Sequence, residues 1–104
     1  MNLVIIGAGG LAREVYDLAM VCYGHLPEFK IKGFLSDDHT NIASLGYPPI
    51  LSNTKDYEIE VNDVFFCAIG NVYHRKNIVE NILLKGGEFI NLIHPTANIS
   101  PSVK

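Results

Sequence analysis

Gly7, Gly9 and Ala12 stand in a G-x-G-x-x-A pattern, directly behind an apolar run and directly before a helical one. In that setting Gly7 makes the tight turn, Gly9 lets a ligand approach the backbone, and Ala12 lets helix and strand pack closely. Bare backbone amides at the mouth of a helix hold a phosphate. The competing reading is a tight strand-to-helix turn that holds nothing. A nicotinamide dinucleotide would also need an acidic residue about 20 positions on. Asp37 and Asp38 are the candidates, somewhat late in the count. A carboxylate there binds ribose hydroxyls or a base edge; alternatively, adjacent aspartates simply cap a turn.

A second loop, Gly70-Asn71, follows an apolar strand pattern and lies on the same sheet edge. Asn71 is placed to cap the next helix. His74 and Arg75 fall in that helix's first turn, where a cation is unfavourable unless an anion is present. Arg75 is therefore a candidate phosphate or carboxylate contact, against the alternative of a solvated arginine. His74 is expected to face solvent. His25 and His39 lie in turns without a partner that marks catalysis. The chain contains no GxSxG elbow, no HExxH and no clustered metal ligands, so no metal site is expected.

The elements that position these residues follow from periodicity. Residues 3–6 form a continuous apolar run, as a strand buried on both faces requires. Ala12, Val15, Tyr16, Ala19 and Cys22 recur at helical spacing up to about residue 23, before Gly24 and Pro27. Residues 29–35 read as a second strand, and Pro49-Ile50-Leu51 as a short edge strand. Ser52-Asn53-Thr54 with Asp56 has the composition of a weak helix start. Residues 63–69 read as the clearest central strand. Ile78, Val79, Ile82 and Leu83 give the stripe of a second helix closed by Gly86-Gly87, and residues 89–92 a final short strand. This alternation predicts an α/β fold: a small doubly wound, mostly parallel sheet of the Rossmann-like kind.

The tail differs. Residues 93–98 and 99–104 each begin with isoleucine and carry a small or branched residue at the fifth place. A period of six is the repeat of hexapeptide β-helices. Two partial turns bury no core of their own, so the expected organisation is a domain over 1–91 and the truncated start of a left-handed β-helix over 92–104. His94 opens the repeat and reads as a packing residue at the joint.

Bulk properties narrow the classes. At 48% hydrophobic and 18% charged, the 104-residue chain is globular rather than disordered. A net charge of −3 without a basic block argues against nucleic acid as a partner. No apolar stretch approaches a membrane span, and a cytoplasmic protein is the simplest expectation. Cys22 and Cys67 form no CxxC or zinc pattern; Cys67 reads as a reduced core residue, with a disulfide between the two left open.

Taken together, Gly7-Ala8-Gly9-Gly10, Ala68-Ile69-Gly70-Asn71 with Arg75, and Asn91-Leu92-Ile93-His94-Pro95-Thr96-Ala97 resemble the bacterial sugar acetyltransferases of the left-handed β-helix class. These include sialic acid O-acetyltransferases and UDP-4-amino-sugar N-acetyltransferases. The resemblance implies a domain that binds a nucleotide-linked sugar acceptor in surface glycan synthesis. It also implies a coil that forms a homotrimer, binds acetyl-CoA as co-substrate and carries the catalytic histidine. That histidine would lie beyond Lys104, so no catalytic residue is assigned here. By similarity Gly9, Gly10 and Leu11 lie near the phosphates or sugar, Asp37 and Asp38 contact the nucleotide, and Gly70, Asn71 and Arg75 form the second loop. Members often carry histidine where this chain has Leu11, which cannot hydrogen-bond through its side chain. The alternative reading is an NAD(P)-binding module of an oxidoreductase or redox regulator.

Overall fold

A computed structural model of the protein describes residues 1–7, 9–37 and 46–90. Six elements follow one another: β1 (Asn2–Ile6), α1 (Gly10–Tyr23), β2 (Lys30–Leu35), β3 (Ile50–Ser52), β4 (Asp63–Cys67) and α2 (Val72–Leu84). The four strands form one parallel sheet in the order β3-β2-β1-β4. The six-residue repeat and the proposed boundary at residue 91 lie outside the described residues.

β1 occupies the interior of the sheet because its side chains are apolar on both faces. Leu3, Val4, Ile5 and Ile6 are all fully buried. Alternation sends Leu3 and Ile5 to one face, where they meet Ala12, Val15 and Ala19 of α1 together with Phe34 and Phe66. It sends Val4 and Ile6 to the other, against Ile78 and Ile82 of α2 with Leu35, Tyr57 and Phe65. One helix on each face makes the sheet doubly wound. Each fully buried aliphatic or aromatic side chain contributes about 1.5–3 kcal/mol, so these two clusters dominate the stability.

Several elements differ from the sequence expectation. Among the described residues β4 is one of the two edge strands of the four-stranded sheet, and one parallel bridge, between Phe65 and Phe89, lies on its outer side. That bridge, held by Phe65 N–H to Glu88 O (2.8 Å) and Ile90 N–H to Phe65 O (2.9 Å), is what the described residues retain of the expected last strand. The expected helix after Ser52 is a single turn. Asn53 Oδ1 accepts the Lys55 and Asp56 amides (3.0 and 2.7 Å), which satisfies the turn without extending it. On α2 only Ile78 and Ile82 are buried, while Leu83 is 53% exposed.

β2 carries one extra residue. Leu3 pairs with Ile31 but Val4 pairs with Gly33, which leaves Lys32 as a bulge. Lys32 Nζ donates to Tyr57 Oη (2.7 Å), to both Asp63 carboxylate oxygens (3.2 and 3.3 Å) and to Glu60. Tyr57 in turn donates to Asp63 Oδ2 (2.6 Å), as does the Glu60 amide (2.9 Å). Burial opposes ionisation of Asp63, but the bonds from Tyr57, the Glu60 amide and Lys32 overcome it and hold the carboxyl below its usual value. Burial also works against charge on Lys32, and its bonds to Glu60, Tyr57 and Asp63 hold its ammonium well above the ordinary lysine value. This knot ties the 53–62 connection to the amino end of the sheet.

Candidate functional site

At the opposite, carboxyl end of the strands lies an open cleft of about 350 Å³. Gly7 enters it from the end of β1, Leu35, Ser36 and Asp37 from β2, and Ala68 and Ile69 from β4; Gly9, Thr54 and His74 complete the lining. Ligands of open parallel sheets bind in this position, where the strand order reverses around β1. Backbone bonds stiffen the rim: Gly7 N–H to Leu35 O (2.7 Å), Ala68 N–H to Ile6 O (2.9 Å) and Ser36 N–H to Ser52 O (3.1 Å).

Gly7 has no substitute here. Its φ is +115°, and a Cβ would stand 3.0 Å from the Ala68 carbonyl oxygen. By contrast, a Cβ on Gly9, Gly10 or Gly70 would meet nothing within 4 Å. The backbone therefore passes close beneath the cleft at Gly7 and opens to solvent beyond it. Gly9 is the N-cap of α1 and supplies no side-chain hydrogen bond, and the first turn of the helix carries no acidic residue. The first amides of a helix have no intrahelical acceptor, so α1 presents donors without a side chain to receive them.

Asp37 faces this rim from the end of β2. Thr54, buried, donates to it twice, from its amide (3.1 Å) and its hydroxyl (3.2 Å), both to Oδ1. A second, longer hydroxyl contact reaches Oδ2 at 3.4 Å. The carboxylate is thus held in one orientation while remaining exposed. Thr54 was not expected at the site; its contribution depends on a pairing across 17 residues.

The second loop divides. Asn71 caps α2 by accepting the His74 amide (2.9 Å), as its position predicts. That use turns its carbonyl oxygen toward its own helix, and neither Asn71 nor Gly70 is among the lining residues. Arg75 is half-buried and is not among the lining residues. Burial pushes the Cys67 thiol up, against opposing pulls from the Ile69 amide and Arg75, so Cys67 suits packing rather than nucleophilic attack. Cys67 and Cys22 are not bonded to each other. His74, expected in solvent, lines the cleft although it is exposed. As the third residue after the cap its side chain leans back over the helix N-terminus, a placement that counting from Asn71 reveals.

Of the residues singled out from sequence, the structure brings Gly7, Gly9 and Asp37 together in the cleft. Gly10 and Leu11 open α1 at its rim without lining it, Leu11 being 48% exposed. Asp38 lies outside the described residues. Among the described residues no group of three metal-ligating side chains occurs, and no helix is long and apolar enough to cross a membrane.

The family model of the PglD N-terminal domain matches residues 2–82, from the first strand to within two residues of the end of α2. No match is found among curated proteins. The matched span contains every lining residue of the cleft. With this sheet order and this glycine turn, the chain belongs to the PglD N-terminal domain family, the N-terminal domain of an acetyltransferase.

Proposed function

We propose that the cleft binds the acceptor of an acetyl-CoA-dependent sugar acetyltransferase, a nucleotide-linked amino sugar or a sialic-acid-type sugar of surface glycan synthesis. One juxtaposition carries this reading. The uncapped N-terminus of α1, with Gly7 and Gly9 before it, shares a cleft with Asp37, held by Thr54. Amides at a helix mouth suit a diphosphate; an oriented carboxylate suits ribose hydroxyls or a base edge. The cleft volume falls at the lower end of small-ligand sites. Gly10 and Leu11 then border the phosphates or sugar, Asp38 adds a second acidic contact, and Gly70, Asn71 and Arg75 flank the ligand.

In this reading the domain holds the acceptor and the transfer itself belongs to a hexapeptide coil. That coil supplies the acetyl-CoA site, the base that removes the acceptor's proton, and trimer contacts. Family membership supports this over the nicotinamide alternative. Calorimetry against UDP-, GDP- and CMP-linked sugars and NADH is the test. At least one nucleotide sugar should bind in the range of about 1 μM to 1 mM, where enzyme substrates commonly fall. No binding by any of them overturns the proposal, and tight binding of NADH alone selects the alternative.

A further inference from the structure

We infer that His74 is a specificity-determining contact for the diphosphate of the bound ligand, and that it makes ligand capture depend on proton uptake. This rests on the reading of the cleft as a nucleotide-sugar site and adds a residue that neither the glycine fingerprint nor the loop motif includes. Among the described lining residues only Asp37 and His74 have titratable side chains. Asp37 already serves Thr54 and repels an anion. His74 is therefore the one described lining side chain able to become cationic against a phosphate.

Its position is set by the backbone. Asn71 takes the His74 amide, so that amide is spent on the cap and the imidazole is the group left to face the cleft. α1 and α2 pack on opposite faces of the sheet, so His74 of α2 and Gly9, the N-cap of α1, line the same cleft from two different helices. A diphosphate between them would accept from backbone amides on one side and from an imidazolium on the other. From α1 only Gly9, its N-cap, lines the cleft; from β1 only Gly7, and from β4 only Ala68 and Ile69, none with an ionisable side chain. Arg75, next on α2, is half-buried, is not in the lining and keeps its charge throughout this pH range. No other described lining group competes for the proton. Histidine changes charge between about pH 5 and 8, and a nearby anion favours the charged form.

The test uses the diphosphodiesters UDP-N-acetylglucosamine and GDP-mannose, whose charge is constant across this range. Affinity is measured by calorimetry at pH 6.0 and 8.0 for the wild type, His74→Asn and Asp37→Asn. The wild type should bind about fivefold more tightly at pH 6.0, with net proton uptake seen as a buffer-dependent enthalpy. His74→Asn should bind equally at both pH values, near the wild-type affinity at pH 8.0. Asp37→Asn should keep the pH ratio. Wild-type binding without pH dependence, or pH dependence retained in His74→Asn, overturns the inference and leaves the nucleotide-sugar reading standing. Absence of binding to both probes at both pH values overturns the inference, and the sugar panel above then decides the broader reading. His74 is exposed, so its replacement leaves the fold intact, which a thermal melt checks.

Discussion

The two ends of the sheet treat polar groups in opposite ways. At the amino end, Lys32, Tyr57, Asp63 and the Glu60 amide satisfy one another, and the Asp63 side chain is wholly shielded from water. At the carboxyl end, α1 starts without a side-chain cap, Asp37 is held but exposed, and His74 stands in the lining. No described buried side-chain polar atom lacks a partner, so the unmet valences are concentrated where water or a ligand reaches them. A closed network supports the fold, and an open one is available for binding. The contrast also separates two helix N-termini at one edge: α2 is capped by Asn71, whereas α1 has glycine at the same position.

The largest effect should come from opening the closed end. Lys32→Met removes the only cation bonded to Asp63 among the described residues. Breaking a fully buried pair costs roughly 3–5 kcal/mol. Here Lys32 is 19% exposed and Tyr57 and the Glu60 amide remain, so about 3 kcal/mol is expected. Nucleotide-sugar affinity should be unchanged, and denaturant titration with calorimetry checks both. The same knot sets the pH limits. Asp63 is held below its ordinary 3.8 in the folded state. Its contribution is therefore present above that value and lost as pH falls through the lower folded value. Lys32 is raised above 10.5, so its contribution is present below that pH and disappears only as pH climbs through the higher folded value. Urea midpoints should be flat between about pH 5 and 10 for these groups. The acid decline should become shallower in Lys32→Met. A midpoint insensitive to Lys32→Met would make the knot incidental.

Gly7→Ala attacks the open end through the backbone. A side chain at φ +115° is strained, and the new Cβ would press on the Ala68 carbonyl. Strain of this kind costs roughly 1–3 kcal/mol, so a loss of about 2 kcal/mol, or roughly 8–16 °C in Tm for a domain of this size, is expected. Unlike Lys32→Met it should also weaken ligand binding at least tenfold, because the rim moves with it. Equal binding by Gly7→Ala and wild type would place the ligand elsewhere.

The legible parts of the molecule were those governed by near neighbours. β1 announced itself by four consecutive apolar residues, α1 by its 3.6-residue recurrence, and the turn between them by Gly7. The knot was invisible because Lys32 meets Tyr57 and Asp63 across 25 and 31 residues, and only after a bulge that no local pattern marks. Thr54 was hidden for the same reason. The apparent helix start at Ser52 goes no further because Asn53 accepts the amides of a single turn, and the apolar residues that follow, Tyr57, Ile59 and Val61, alternate in the manner of an extended chain. An apolar run does not by itself tell an inner strand from an edge strand, and on the outer side of β4 the described residues show one bridge, at Phe89.

The smallest stability effect is the most discriminating. Gly9 has extended backbone angles (φ −82°, ψ −166°), suitable for any N-cap residue, and a Cβ there meets nothing within 4 Å. Gly9→Asp would therefore give α1 the side-chain cap that α2 already has. The cap and its favourable charge against the helix dipole should raise stability by about 0.5–1 kcal/mol. The mirror change, Asn71→Ala, should lower it by about 1 kcal/mol. If the amides are reserved for a ligand's phosphates, the aspartate satisfies them internally and repels the anion. Gly9→Asp should then be more stable yet bind nucleotide sugars at least tenfold more weakly. A variant that gains stability and keeps its affinity would show that the bare end of α1 is not where the ligand's charge resides.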